Sequence, residues 1–178
     1  MDLFETIGAR RSVRRYREQP VEDDKLLKVL DAARLAPSWK NQQCWRFMVL
    51  REPETRQALL AAFDDANPGK KALAQAPVLI AVCADPNESG REEGKDYYLA
   101  DAAIAFEHLC LAATALGLGT CWMGLFDELR LKDVLAIPGR FRVVGVTPLG
   151  YPDREPSPRP RKNLAEIAFA DRWENPLC

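Results

Sequence analysis

Hydrophobic residues recur at helical spacing in several stretches of the chain, and polar turns separate these stretches. Between Glu22 and Leu35 the apolar positions lie three or four residues apart, so their side chains share one face of a predicted helix. Shorter patterns of the same kind predict helices over residues 2–9, 54–63 and 128–135. Asp2 and Asp127 are the predicted N-caps of the first and last of these helices.

Three apolar runs lack the helical period and predict strands. Pro77–Cys83 is continuously apolar, a pattern typical of a strand that is buried on both faces. Trp45–Leu50 and Phe141–Leu149 are the other two predicted strands, and Thr120–Gly124 suggests a short strand and a turn. Helices mixed with a few buried strands predict a layered α/β or α+β domain.

The longest helical pattern runs from Tyr97 to Leu116 and is apolar on nearly every face. Such a helix must be covered on nearly all sides, so we expect it at the centre of the domain or shared with a partner subunit. Asp101, Glu107 and His108 interrupt the pattern, and for this reason no membrane span is expected. The polar segments 64–69 and 85–95 are predicted loops, the second of them mobile.

The composition is that of one globular domain. The chain has 178 residues, 47% hydrophobic and 29% charged, with a net charge of −1, so no overall field draws it to nucleic acid or to an anionic membrane. We expect a single domain over residues 1–178 with an extended, proline-rich tail from about 150 to 178. The first residues lack a secretory pattern and the five cysteines form no Cys-x-x-Cys pair, which predicts a cytoplasmic protein with reduced thiols.

His108 is the sole histidine of the sequence. A metal site built on several histidines is therefore excluded, and one candidate is left for a Ser-His or Cys-His pair. Because His108 lies within the long predicted helix, with nothing that indicates a nucleophile beside it, we predict a structural role. No metal site and no catalytic acid–base pair are expected.

Residues 10–17 (RRSVRRYR) form the densest cationic cluster, with five arginines and one serine. Planar guanidinium groups and a hydroxyl match the oxygens of a phosphate, which favours a phosphate-binding corner for a small anionic cofactor. A solvated basic patch and a nucleic-acid contact are the alternatives. The near-zero net charge weighs against the second of them.

The segment Ala36–Trp45 is a polar loop that holds two tryptophans, three carboxamide side chains and a serine. It offers hydrogen-bonding groups beside flat aromatic surface, but an irregular turn whose side chains satisfy one another has the same composition. No Gly-x-Gly-x-x-Gly motif follows a predicted strand. A Rossmann dinucleotide site is therefore not expected.

Motifs along nearly the whole chain resemble those of the nitroreductase family of flavoproteins. They are RRSVRRY at 10–16, APSWKNQQCWRF at 36–47, LGLGTCWMG at 116–124, PLGYP at 148–152 and PRPRKNLAEI at 158–167. The resemblance implies an α+β nitroreductase-like fold, with a central, mostly antiparallel sheet flanked by helices. It also implies an intertwined homodimer with one FMN at each of two interface sites.

The activity that the resemblance implies is that of an FMN-dependent NAD(P)H oxidoreductase. NADH or NADPH would deliver reducing equivalents through flavin N5 to nitroaromatic, quinone or similar acceptors by a ping-pong mechanism. The flavin carries this chemistry, which agrees with the lack of catalytic side chains. A dehydrogenase, a reductive dehalogenase or an activated-alkene reductase on the same fold are alternatives, and a basic nucleic-acid-binding module is a distant one.

The resemblance also assigns a phosphate clamp by position. The phosphate and ribityl chain would be held by Arg10, Arg11, Ser12 and Arg14, and the clamp would be completed by Arg159 and Arg161. By the same comparison, Arg15 and Arg17 are predicted to be surface residues. Two distant basic segments would thus converge on one doubly charged phosphate.

By the same resemblance, the remaining flavin contacts would come from two loops. The partner subunit would line the flavin with Ser38, Trp39 and Asn41, and the ring would be bordered by Trp122, Met123 and Gly124. Two departures from the family stand out: Cys44 occupies a position that is often proline, and Met123 replaces an acidic residue of several relatives. For the middle region, Asn67 and Lys71 are both open candidates.

Overall fold

Helices and strands alternate through the body of the chain. The computed structural model describes residues 1–177, and Cys178 lies outside the described residues. The α-helices are α1 (Leu3–Ala9), α2 (Asp23–Arg34), α3 (Pro53–Leu59), α4 (Lys70–Gln75), α5 (Tyr97–Ala115) and α6 (Glu128–Leu135). The strands are β1 (Trp45–Leu50), β2 (Val78–Ala84), β3 (Arg91–Glu92), β4 (Lys95–Asp96), β5 (Gly119–Thr120) and β6 (Arg142–Gly150).

A four-stranded antiparallel sheet of order β1-β2-β6-β5 forms the centre. Strand β2 pairs with β1 and β6, and every one of its side chains is buried, as its continuous apolar run predicts. Side chains of α2 and α5 pack on one face of the sheet, and those of α3, α4 and α6 pack on the other. The fold is therefore α+β, with a central antiparallel sheet flanked by helices.

Helix α5 packs one face into the core and exposes the other. It packs against α2 and the sheet, and Phe106 and Leu109 are fully buried, which agrees with the predicted central position. By length and apolar composition α5 could cross a membrane, contrary to the expectation that its charged residues would prevent this. Its packing is typical of a core helix, although Leu99 and Ile104 on the opposite face are exposed.

Three local predictions need correction. The helix expected over 54–63 ends as α3 at Leu59 and continues as the 3₁₀ turn Leu60–Ala62, and the short helix α4 was not predicted. The expected loop 85–95 contains the 3₁₀ turn Pro86–Glu88 and the β3–β4 hairpin. Glu93 and Gly94 turn this hairpin with φ of 50° and 77°, as a tight turn between twisted strands requires.

The tail crosses the surface and leaves apolar side chains exposed. Its 3₁₀ turn Leu164–Glu166 begins with a capping box between Asn163 and Glu166. Phe169 and Trp173 contact each other with ring centroids 4.9 Å apart, yet Trp173 is 82% exposed. The assignment of residues 1–178 to a single domain stays a prediction.

Candidate anion-binding site

Two basic segments that are far apart in the sequence meet beside β5. The N–H of Val13 donates to the carbonyl of Thr120 at 2.8 Å, which fixes the arginine cluster against the sheet. The N–H of Asp153 donates to the carbonyl of Arg15 at 3.0 Å. Backbone pairing therefore brings the start of the tail alongside the arginine cluster.

A cavity of about 1200 Å³ opens where these segments meet. Asp153 and Glu155 are its acidic side chains, against eight basic ones: Arg10, Arg11, Arg14, Arg15, Lys71, Arg154, Arg159 and Arg161. Ser12 and Tyr16 also line it. A concave site with this excess of positive charge favours a compact, multiply charged anion. The structure thus brings the six residues of the predicted phosphate clamp to one cavity.

Two further basic residues line the cavity. Arg15 is exposed, as predicted, but also lines the cavity, and Lys71, one of the two open candidates of the middle region, reaches it from α4. Asn67, the other open candidate, donates from Nδ2 to the carbonyl of Leu125 at 3.0 Å and accepts from the N–H of Gly69 at 2.9 Å. Asn67 therefore holds the turn before α4, whereas Lys71 is available to a ligand.

Arg10 has a carboxylate partner at the cavity. Its Nε lies 3.5 Å from Oε1 of Glu107 on α5. Burial raises the pKa of Glu107, and the opposing effect of the Arg10 charge is smaller. Burial thus outweighs the ion pair in setting the pKa of Glu107.

Replacing Glu107 with glutamine is expected to make stability less dependent on pH. The raised pKa means that the folded chain binds this proton more tightly than the unfolded chain, so stability declines as pH rises above the ordinary value of 4.5. Glutamine does not titrate and removes this part of the decline. Thermal unfolding of both proteins between pH 4 and 7 tests this, with the exposed Glu93→Gln as control; parallel Tm curves for Glu107→Gln and wild type would contradict it.

The predicted flavin-lining loop lies outside this cavity in its own chain. Ser38, Trp39 and Asn41 are not among the cavity residues. The Trp39 ring packs on Tyr97, with centroids 4.5 Å apart, and on Gly90, where a Cβ would lie 2.3 Å from the ring. The loop is thus a defined structure that lies away from the cavity of its own chain.

The other predicted ring contacts form a shelf at the end of β5. Trp122 stacks on Phe106 with centroids 3.9 Å apart and planes at 20°, yet it is 41% exposed. Met123 is buried, and its N–H donates to the carbonyl of Val146 at 3.0 Å. Gly124 is exposed beside it. Trp122 therefore offers a rigid aromatic surface, while the Met123 side chain belongs to the core.

His108 and the described cysteines do not line the cavity. His108 Nδ1 lies 3.2 Å from the carbonyl of Ala32 and links α5 to α2. The free cysteines of residues 1–177 are all buried: Cys44, Cys83, Cys110 and Cys121. In that same part of the chain, no group of three His, Cys, Asp or Glu side chains is arranged to hold a metal ion.

The chain is thus an α+β protein with an arginine-lined cavity beside its central sheet. The model of the Nitroreductase family matches residues 7–151. The chain therefore belongs to the nitroreductase family, and it is an NAD(P)H oxidoreductase.

Relatives and solved structures match over nearly full length. A nitroreductase family protein of Clostridium novyi NT is 37% identical with a TM-score of 0.83, over 99% of this chain and 97% of that one. An NADH dehydrogenase of Thermus thermophilus is 31% identical over 90% of this chain and 91% of its own. An FMN-dependent nitroreductase of Clostridium difficile R20291 is 29% identical with a TM-score of 0.77, over 93% and 95%.

Proposed function

We propose that the chain is an FMN-dependent NAD(P)H oxidoreductase that acts as a homodimer. The observation that carries the proposal is the convergence of both basic segments on one cavity. The FMN-dependent relative described above supports the choice of cofactor. The donor chemistry fits, because several guanidinium groups and the Ser12 hydroxyl match a phosphate dianion.

The phosphate clamp fixes the cofactor in the cavity. In this proposal the phosphate is held from one side by Arg10, Arg11, Ser12 and Arg14 and from the other by Arg159 and Arg161, while Lys71 approaches the ribityl chain. When bound, FMN supplies hydride and electron transfer between NAD(P)H and an acceptor. The task of these side chains is to bind and orient the phosphate end, since none of them needs to exchange a proton.

Exposed apolar surfaces support the homodimer. Exposed apolar side chains lie on α1, on the outer face of α5 and on the tail: Leu3, Phe4, Ile7, Leu99, Ile104, Leu164, Ile167 and Trp173. Surfaces of this kind mark interfaces, and a two-fold pairing covers them in both copies at once. A second copy would also bring its Ser38, Trp39 and Asn41 to the flavin, opposite the Trp122 shelf.

The Trp122 shelf indicates which class of electron acceptor the site would take. Trp122 presents a flat, half-exposed ring, and Met123 and Gly124 add no acid or base. A planar acceptor such as a quinone or a nitroaromatic compound suits this surface by stacking. Its protons then come from water, and a ping-pong cycle follows if NAD(P)H and the acceptor use the same open face in turn.

Cofactor loading and turnover test the proposed function. Apoprotein titrated with FMN is expected to quench the flavin fluorescence at one FMN per chain. Anaerobic NADH or NADPH is then expected to bleach the bound flavin, and menadione or nitrofurazone to restore its colour. Riboflavin, which lacks the phosphate, is the matched control and should bind more weakly; equal binding of both would contradict the clamp, and no binding of FMN would overturn the proposed function.

A further inference from the structure

Asp101 is a buried carboxylate that the anion-binding cavity does not use. Its residue is 3% exposed on α5, and none of the ion pairs within residues 1–177 includes it. Removing a carboxylate from water costs free energy unless hydrogen bonds compensate for the lost hydration. The role of Asp101 therefore depends on which hydrogen-bond donors surround it.

Three donors from two different segments surround this carboxylate. Oδ1 accepts from the N–H of Trp39 at 2.9 Å. Oδ2 accepts from Oγ of Ser89 at 2.7 Å and from Sγ of Cys44 at 3.7 Å. Trp39 and Cys44 lie at the two ends of the loop 38–44, and Ser89 belongs to the segment that carries Gly90. One carboxylate thus ties both ends of the loop to α5.

The loop between these ties has an unusual backbone. Lys40, Asn41 and Gln43 have φ of 46°, 58° and 54°, in the left-handed region that residues with a Cβ seldom adopt. Within the loop, the N–H of Gln43 donates to Oγ of Ser38 at 2.9 Å. A backbone of this kind persists when its surroundings hold it, and Asp101 holds the two ends of this stretch through Trp39 and Cys44.

The position of Cys44 fits the same arrangement. The Cys44 thiol is buried and directed at Asp101, and burial together with the Asp101 charge raises its pKa to about 12. The thiol therefore stays protonated and remains a donor to the carboxylate.

We propose that Asp101 is the positioning residue of the flavin site. By fixing the ends of the loop 38–44, it sets the direction in which Ser38, Trp39 and Asn41 meet the flavin of the partner subunit. Asp101 itself touches neither flavin nor acceptor. The inference rests on the proposed function, because that function supplies the flavin which the loop lines.

Asp101→Asn tests the proposal, because an amide nitrogen in place of one oxygen cannot accept from both sides of the loop. Amide hydrogen exchange of residues 38–44 in the apoprotein is expected to accelerate about tenfold or more. FMN affinity, measured by fluorescence titration, is expected to fall about tenfold. Ser89→Ala removes one donor and should shift both measurements less in the same direction, which provides a milder variant if Asp101→Asn does not fold.

Glu128→Gln is the matched control. Glu128 is a carboxylate of comparable bonding, held by the Arg142 guanidinium at 2.9 Å and the Val143 N–H at 2.9 Å. Its loss should lower thermal stability but leave loop exchange and FMN affinity at the wild-type values. If Asp101→Asn accelerates loop exchange without weakening FMN, or weakens FMN no more than Glu128→Gln does, the positioning role is wrong.

A failure of the proposed function would look different. In that case the wild-type protein itself binds no FMN, whereas a failure of the positioning role leaves wild-type binding intact and the variant indistinguishable from it. Loop exchange in the apoprotein does not depend on FMN. It therefore reports on the Asp101 anchor in either case.

Discussion

The double variant Arg10→Ala/Arg161→Ala is expected to bind FMN about a thousandfold more weakly than the wild type. Each guanidinium contributes a charge-assisted hydrogen bond to the phosphate, worth about 2 kcal/mol, and the two residues line the cavity from different segments of the chain. Two such losses together amount to about three powers of ten in Kd. Fluorescence titration of the apoprotein with FMN measures the change.

Two comparisons separate this effect from general damage. Riboflavin binding should be equal in the variant and the wild type, because riboflavin has no phosphate for the clamp to lose. Arg17→Ala removes a guanidinium of the same cluster that does not line the cavity, and it should leave FMN affinity within about twofold. An unchanged FMN affinity in the double variant would show that the clamp assignment is wrong.

Phe106→Ala is expected to lower the free energy of unfolding by about 4 kcal/mol, which is the usual cost of emptying a large core position. Phe106 is fully buried on α5, stacks on Trp122 and lies so near Gly145 that a Cβ there would be 2.7 Å from its ring. Such close packing leaves little room for collapse around the cavity. Urea unfolding of the apoproteins at one protomer concentration measures the difference.

Phe106→Leu serves as the size control. Leucine fills part of the ring volume, so its cost should be about 1.5 kcal/mol. If alanine and leucine destabilise equally, the size of the void left at position 106 does not determine the loss of unfolding free energy. The tight contacts with Trp122 and Gly145 are then not its cause. If alanine costs less than about 1 kcal/mol, the surrounding residues relax into the void, and the claim that Phe106 holds Trp122 rigidly is wrong.

Most of the fold could be predicted from the sequence, because burial leaves a direct record in it. The continuous apolar run of β2 reflects burial on both faces, and the pattern of α2 reflects one buried face. Helix α4 was missed because Lys70–Gln75 is too short for the helical period to repeat. The β3–β4 hairpin was missed because Glu93–Gly94 is not one of the usual hairpin dipeptides.

The candidate site could be predicted in part. The family motifs contain the six clamp residues, and backbone pairing at Val13 and Asp153 brings them together. Arg15 could not be assigned to the cavity from sequence, and Lys71 stayed one of two open candidates, because the approach of both side chains depends on how α4 and the tail pack. The Arg10–Glu107 pair and the Asp101 contacts likewise join distant residues that no local pattern connects.

Burial of the cysteine thiols affects how readily they react with quinones and peroxides. Burial raises the pKa of all four described cysteines, to about 12 for Cys44 and Cys110 and to about 11 for Cys83. Quinones alkylate thiolates and peroxides oxidise them, and a thiol that stays protonated and shielded reacts with neither at an appreciable rate. Burial thus keeps these four thiols protonated and shielded from electrophiles of the class that the proposed enzyme reduces.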